Sequence, residues 1–436
     1  MKVMKFGGTS VGSPERMKNV AKLISGQGCN LVVLSAMSGT TNSLLQISAK
    51  LDAGDKAGAK QQADELEKKY ESVAKELLSK DESLIKAGEI IASIFGEIRE
   101  VIDGGSDSLS EKKIVSKGEL LSTNLVTLYV NETGVKCVLL PALEFMRTDV
   151  NNEPDMAYIE QGIKAQIAMH PEAELFITQG FICRDINGLI HNLERGGSDY
   201  TASILGAVLD ADVVEIWTDI DGMHNNDPRF VEGTSPVHHL QFEEAAELAY
   251  FGAKILHPTC ILPAKERGVP VKLLNTMDPE APGTTIDRDM QGPAIKAVAA
   301  KDNITAIKIK SSRMLLAYGF LKKVFEVFEK YKTPIDMITT SEVGVSVTID
   351  NETSLADIER ELQQFGDVKI DRDMVIICVV GDLEWRNRGF EAKAIDALAQ
   401  IPVRMISYGG SNYNISFLIE GKNKVEALQS LSKHLF

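Results

Sequence analysis

Six residues near the start of the chain, Lys5-Phe6-Gly7-Gly8-Thr9-Ser10, constrain the fold more than any other stretch. They end a strand-like run, Val3 to Phe6, and lead through a glycine pair to a helix start near Ser13-Pro14-Glu15-Arg16. The pattern repeats at once, because Leu31-Val32-Val33-Leu34 passes through Gly39-Thr40-Thr41-Asn42 into a second helical stretch. Short, wholly apolar strands separated by helices imply a largely parallel sheet covered on both faces.

From about residue 52 to 111 the chain is rich in Ala, Lys, Glu and Leu, with Leu66, Tyr70, Val73, Leu77 and Leu78 at helical spacing. This reads as a helical hairpin beside the sheet. Further apolar strands are expected at 137–140, 175–178, 213–217 and 269–274, interleaved with helices near 199–209 and 243–251. Together they make a three-layer α/β sandwich of ~290 residues. Asp278-Pro279-Glu280-Ala281-Pro282-Gly283 and the polar stretch to Gly292 break both periodicities and suggest a domain boundary. The expected division is 1–290 and 291–436.

The second part contains an internal repeat. Tyr318-Gly319-Phe320 opens a helix with Phe320, Leu321, Val324, Phe325 and Phe328 on one face, followed by Ile338 and the alternating Val343, Val345, Val347 and Ile349. Arg388-Gly389-Phe390 opens another, followed by Ile406 and the alternating Ile415, Phe417 and Ile419. Each half reads as strand, helix, antiparallel strands, helix: an α+β unit of ~65 residues that needs its neighbour to bury an apolar face.

Composition narrows the function classes. A length of 436 residues favours more than one core. A formal net charge of −15 without a basic run argues against nucleic-acid binding. The five cysteines are scattered, with no Cys-x-x-Cys pair, and read as reduced cytoplasmic thiols. No apolar run approaches the ~18 residues of a membrane span.

Four segments carry chemistry. In the first, Lys5 stands beside glycines whose backbone amides can approach phosphate, and its charge suits phosphoryl transfer. Taken alone, a Gly-Gly turn after a strand is more often structural. Arg195-Gly196-Gly197-Ser198-Asp199 joins a fixed cation, two glycines, a hydroxyl and a carboxylate ahead of a helix. Arginine grips a carboxylate through two parallel hydrogen bonds, which suits an amino-acid substrate, whereas Asp199 alone could simply favour the helix dipole. Trp217-Thr218-Asp219-Ile220-Asp221-Gly222 ends an apolar strand where open α/β sheets bind ligands. Asp227-Pro228-Arg229 and Phe251-Gly252-Ala253-Lys254 add cations after it. Each of these last is an ordinary turn or surface charge by itself, and their value lies in occurring together.

In this order, with Gly39-Thr40-Thr41-Asn42 and Ser116-Lys117-Gly118-Glu119 between them, the segments closely resemble the aspartate kinases of the amino-acid kinase superfamily. The resemblance covers essentially the whole chain, and the C-terminal repeat looks like that family's tandem, ferredoxin-like ACT domains. It implies transfer of the γ-phosphoryl group of MgATP to the side chain of L-aspartate, giving 4-phospho-L-aspartate at the head of lysine, threonine and methionine biosynthesis. Carried over position by position, Lys5, Phe6, Gly7, Gly8, Thr218, Asp219, His224, Arg229, Lys254 and Ile255 would hold ATP. Ser35, Thr41, Glu119, Arg195, Gly196, Gly197 and Ser198 would bind aspartate. Asp199 would orient the catalytic Lys5. The sequence offers no clear protein ligand set for Mg²⁺, which is expected mainly on ATP oxygens and water.

Within the family the closest likeness is to the single-function, lysine-sensitive type. This implies L-lysine as effector, at Met314, Gly319, Phe320, Leu321, Asp336, Ser341 and Glu342. Helix-start amides would take its carboxylate, and Asp336 and Glu342 its amines. The chain departs from the pattern at His224, where relatives usually carry tyrosine, and at Glu194, Leu316 and Ala317. A cytoplasmic homodimer or dimer of dimers joined through the ACT domains is expected. Two other readings compete: a kinase for glutamate or an acetylated amino acid, and a catalytically silent sensor. The retention of Lys5, Arg195 and Asp199 opposes the second.

Overall fold

The computed structural model describes residues 1–25, 30–193, 196–252, 256–289, 292–311 and 318–436. Its contacts divide the chain into two units, one made of Met1–Gly222 with Leu256–Asp289 and the other of Met223–Ile255 with Met290–Phe436. The segment 223–255 therefore groups with the C-terminal part of the chain.

In the first unit the strand Lys2–Phe6 lies between Asn30–Leu34 and Val213–Thr218, parallel to both. The sheet runs in the spatial order Cys137–Leu140, Leu175–Gln179, Asn30–Leu34, Lys2–Phe6, Val213–Thr218, Val271–Asn275, Thr284–Asp287. All its pairings are parallel except the last. Every residue of Asn30–Leu34 is buried, as a strand covered on both faces requires. Helices Lys56–Leu77 and Asp81–Gly104 form the expected hairpin, with Leu66, Tyr70 and Val73 of one and Ile91, Phe95 and Ile98 of the other in the shared core.

One consequence of this order positions the site. Gly180, Ser35, Gly7 and Asp219 each follow the carboxyl end of one of four neighbouring parallel strands, so the loops they begin emerge along one edge of the sheet. Open α/β sheets bind ligands at that edge.

The second unit is built on a six-stranded antiparallel sheet in the order Ile338–Ser341, Gly344–Ile349, Ile295–Lys310, Asp367–Gly381, Asn414–Glu420, Val403–Tyr408. Its two central strands are long and change register between Lys301 and Ala306. Thr305 to Lys310 pair with Gly344–Ile349, whereas Ile295 to Lys301 pair with the later part of Asp367–Gly381, beside Asn414–Glu420. The repeat is real, yet its later half is completed by a strand from the beginning of the segment, so the two halves are interlaced rather than consecutive. Val324, Val327 and Phe328 bury the face of helix Phe320–Lys330, while Leu321, expected on that face, is 37% exposed.

The segment 223–255 contributes helix Phe242–Phe251, which packs on the two long strands. Beyond it, Gly252 approaches the strand Ile295–Lys310 so closely that a Cβ there would lie 2.3 Å from the Ala300 carbonyl. Cys137, Cys183, Cys260 and Cys378 are buried free thiols. Among the described residues no helix is long and apolar enough to cross a membrane.

Candidate active site

The strand Lys2–Phe6 presents Lys5 near its carboxyl end, where the ammonium stands 2.7 Å from Asp199 Oδ1. Asp199 sits in the first turn of helix Gly197–Val208. Phe6 turns the other way: its ring is fully buried and stacks on Trp217 with centroids 5.7 Å apart. Its carbonyl accepts the Ser35 N–H at 3.2 Å. Among the nucleotide residues expected from the sequence, Phe6 therefore supports the loop from the core. Helix Pro14–Ile24 is capped by its own Ser13, which accepts the Arg16 N–H. The positive charge at this corner comes accordingly from Lys5.

That loop needs glycine for a steric reason. A Cβ on Gly8 would lie 2.8 Å from the Ala36 carbonyl, so the turns after two adjacent strands meet backbone to backbone. Gly196 is required twice over, by its φ of +67° and by Cys260, whose Sγ would lie 1.7 Å from an added Cβ. It opens helix Gly197–Val208 without a side-chain cap, leaving that end suited to an anion.

These pieces surround a cavity of about 330 Å³ lined by Lys5, Gly8, Ser35, Thr41, Glu119, Phe181 and Gly196 to Ser198, among others. Ser35 donates a hydrogen bond to Ser198 across 2.9 Å, tying two of its walls. Glu119 is only 4% exposed and its Oε1 accepts the Ala36 N–H at 3.2 Å. Its Oε2 is buried with no hydrogen-bond partner among the described residues. Burial pushes this carboxyl up to about 7, against the opposing pull of the Ala36 amide. The cavity thus offers cationic and amide groups at one part of its wall and a buried acid at another.

Six of the seven expected substrate residues, Ser35, Thr41, Glu119, Gly196, Gly197 and Ser198, line this one cavity; Arg195 lies outside the described residues. Thr218 ends the strand beside Lys2–Phe6 and Asp219 follows it, the Thr218 hydroxyl donating to Asp219 Oδ1 at 3.2 Å. His224 and Arg229 belong to the second unit. There His224 Nδ1 and Thr234 Oγ1 are 3.0 Å apart, and Arg229 forms a two-pronged pair with Asp227. Lys254 and Ile255 lie outside the described residues, as do Met314, Glu194, Leu316 and Ala317.

Sequence reasoning missed Phe181, which lines the cavity with a φ of +66°, rare for an aromatic residue. The Gly180 before it was the available signal, since a Cβ there would meet Ser198 Oγ at 2.3 Å.

Among the expected effector residues, Gly319 caps helix Phe320–Lys330 with a φ of +78°. Ser341 ends an edge strand, and Glu342 is exposed just beyond it. Asp336 differs from the expectation of an acid awaiting an amine. Its side chain is 2% exposed, and its Oδ1 receives both the Lys301 ammonium and the Tyr250 hydroxyl at 2.6 Å. Burial opposes the charge of Lys301, but Asp336 and Asp350 outweigh it and raise the ammonium to about 12. Asp336 Oδ2 is buried with no hydrogen-bond partner among the described residues.

A family model described as the amino acid kinase family matches residues 1–275, and one described as an ACT domain matches 377–435. The chain is 34% identical over 453 residues to lysine-sensitive aspartokinase 3 of Escherichia coli, covering 100% of this chain and 99% of that protein. It is similar to the crystal structure of E. coli aspartokinase III with aspartate and ADP, with a TM-score of 0.85, 32% identity and all of both chains covered. The same enzyme with lysine and aspartate gives a TM-score of 0.83 at 32% identity, covering 100% of this chain and 99% of that one.

Proposed function

We propose, since this chain belongs to the amino acid kinase family and within it to the aspartokinases, that it transfers the γ-phosphoryl group of MgATP to the side-chain carboxylate of L-aspartate. The observation that carries the reading is the company Glu119 keeps. A buried acid with a spare oxygen shares one cavity with Lys5 and an uncapped helix start, a set complementary to an amino acid beside a phosphate.

The acceptor needs no general base, because an aspartate side chain with a reference pKa of ~3.9 is already an anion at neutral pH. Its oxygen attacks the γ-phosphorus in line, the bond from that phosphorus to the β,γ-bridging oxygen breaks, and ADP departs. The work of the protein is to hold two anions together. Lys5, held by Asp199, neutralises charge on the transferring group, assisted by the amides of the glycine loop. Glu119 meets the substrate ammonium, Arg195 its α-carboxylate, and Ser35, Thr41 and Ser198 its remaining polar atoms. Gly7, Gly8, Thr218, Asp219, His224, Arg229, Lys254 and Ile255 complete the nucleotide side. Mg²⁺ enters with ATP as part of the substrate.

The catalytic part occupies roughly residues 1–290 and the tandem ACT region the remainder. L-Lysine acts on the ACT region as a feedback inhibitor, which requires that it favour an inactive arrangement over the active one. A homodimer or dimer of dimers in the cytoplasm is the assembly we infer.

Aspartate-dependent release of ADP, measured beside L-glutamate and N-acetyl-L-glutamate, tests the substrate. Turnover with L-aspartate alone is expected, because the acetylated compound has no ammonium for Glu119. Turnover with either alternative and none with L-aspartate would leave only the fold.

A further inference from the structure

The loop that carries Arg229 is part of the second unit, and its construction there is specific. Asn225 exchanges hydrogen bonds with Ser235, and its carbonyl accepts the Val298 N–H at 2.8 Å. Next along the chain, Asn226 is 2% exposed. Its Nδ2 donates to the Leu428 carbonyl, 202 residues away in helix Lys424–Leu435, at 3.0 Å. Its Oδ1 accepts the Asp227 N–H at 2.8 Å.

Asp227 in turn accepts from the Arg229 backbone N–H at 3.0 Å and from its Nε and Nη2 at 2.9 and 2.6 Å. The guanidinium holds this carboxyl below its ordinary value. Arg229 is 75% exposed, so what fixes its direction is this carboxylate. A guanidinium has five N–H groups, so the two given to Asp227 leave three for a ligand. The rest of the turn is seated on the same helix. Gln429 Nε2 donates to the Phe230 carbonyl at 3.2 Å, and Val231 is buried in a core with Leu428 and Leu431.

We propose that Asn226 is a positioning residue for nucleotide binding: by joining Asp227 to the Leu428 carbonyl it fixes where Arg229 presents its free N–H groups. The inference rests on the reading of Arg229 as a nucleotide ligand. It also means that the C-terminal helix of the regulatory part serves as the seat of a nucleotide-binding loop.

The test compares Asn226→Ala, Arg229→Ala and the double variant in the full-length protein. The readouts are KM for ATP and for L-aspartate, kcat, ADP affinity by calorimetry, and Tm. Asn226→Asp is the second single variant. It keeps the acceptor for the Asp227 amide and loses the donor to Leu428, so it carries the test if the alanine variant folds poorly. Either Asn226 variant should raise KM for ATP and Kd for ADP about five- to tenfold, the equivalent of one buried hydrogen bond. KM for aspartate and kcat should stay within about twofold of wild type. The double variant should bind ADP no more weakly than Arg229→Ala, because the two residues act in series.

If Arg229→Ala weakens ADP and the Asn226 variants do not, the positioning role is wrong while the nucleotide assignment stands. If Arg229→Ala leaves ADP affinity unchanged, the assignment of Arg229 fails and the inference with it. A parallel loss in ATP, aspartate and Tm would also overturn it, by reducing Asn226 to a general structural part.

Discussion

Lys5 and Asp199 form an ion pair of 2.7 Å between the carboxyl end of the central strand and the first turn of the helix opened by Gly196. The lysine cannot take an arbitrary rotamer, because its charge is pinned where strand and helix meet. Lys5→Ala should lower kcat by about 10²–10³-fold, the usual effect of removing a group that stabilises transition-state charge. Asp199→Asn keeps the shape and releases the lysine, so a smaller loss of about tenfold is expected, with KM for aspartate little changed. Steady-state kinetics of the two variants checks the order; an Asp199→Asn enzyme as fast as wild type would remove the orienting role.

The Glu119 carboxyl gives a pH dependence with a definite sign. Burial raises it from an ordinary 4.5 to about 7, so between those values the folded chain retains a proton that the unfolded chain has released. Its contribution to stability is therefore lost as pH rises through 7. Substrate binding runs the other way, since an ammonium favours the carboxylate and must expel the proton below pH 7. KM for L-aspartate should rise about tenfold per pH unit as pH falls below 7, and binding there should release protons to the buffer. Calorimetry in buffers of different ionisation enthalpy measures the release. Glu119→Gln should abolish it and flatten the profile.

At Gly196 two penalties coincide, a left-handed φ and the Cys260 sulfur 1.7 Å from an added Cβ. Gly196→Ala should cost at least about 2 kcal/mol of stability and most of the activity. Adding Cys260→Ala removes only the steric part, so the double variant should recover some stability while aspartate binding stays impaired. Thermal unfolding beside aspartate KM separates the two components.

Asp336 and Glu342 were expected to play similar roles, and the structure sets them apart. Asp336→Ala leaves Lys301 with the half-exposed Asp350 as its ion-pair partner, over the face of the Tyr250 ring. It should destabilise the second unit by about 3 kcal/mol, as breaking a buried pair does. Glu342→Ala should stay within about 0.5 kcal/mol. Chemical denaturation distinguishes them, and equal effects would contradict the burial of the Lys301–Asp336 pair.

What the chain reveals before folding depends on how local the determinant is. The first strand, its glycine loop and the hairpin containing Leu66 and Tyr70 are written in contiguous residues, and they stand where periodicity puts them. Site residues carried by glycine-bounded motifs, such as Gly8, Gly196 and Ser198, meet in one cavity for the same reason. Long-range pairing left no such trace. Nothing near Asp336 announces Lys301, 35 residues earlier, or Tyr250, 86 residues earlier. The completion of the second repeat by Ile295 to Lys301 was equally hidden, because an alternating strand pattern does not name its partner. Asn226 reads as a polar turn residue until Leu428 is placed beside it.

The reaction itself is read from its product, which can be trapped. The chain is incubated with MgATP and L-aspartate in the presence of hydroxylamine, which converts an acyl phosphate to a hydroxamate, with and without millimolar L-lysine. Aspartyl hydroxamate should form in step with ADP, and lysine should suppress both. ADP released without hydroxamate, or hydroxamate formed from L-glutamate but not from L-aspartate, would contradict the proposed reaction.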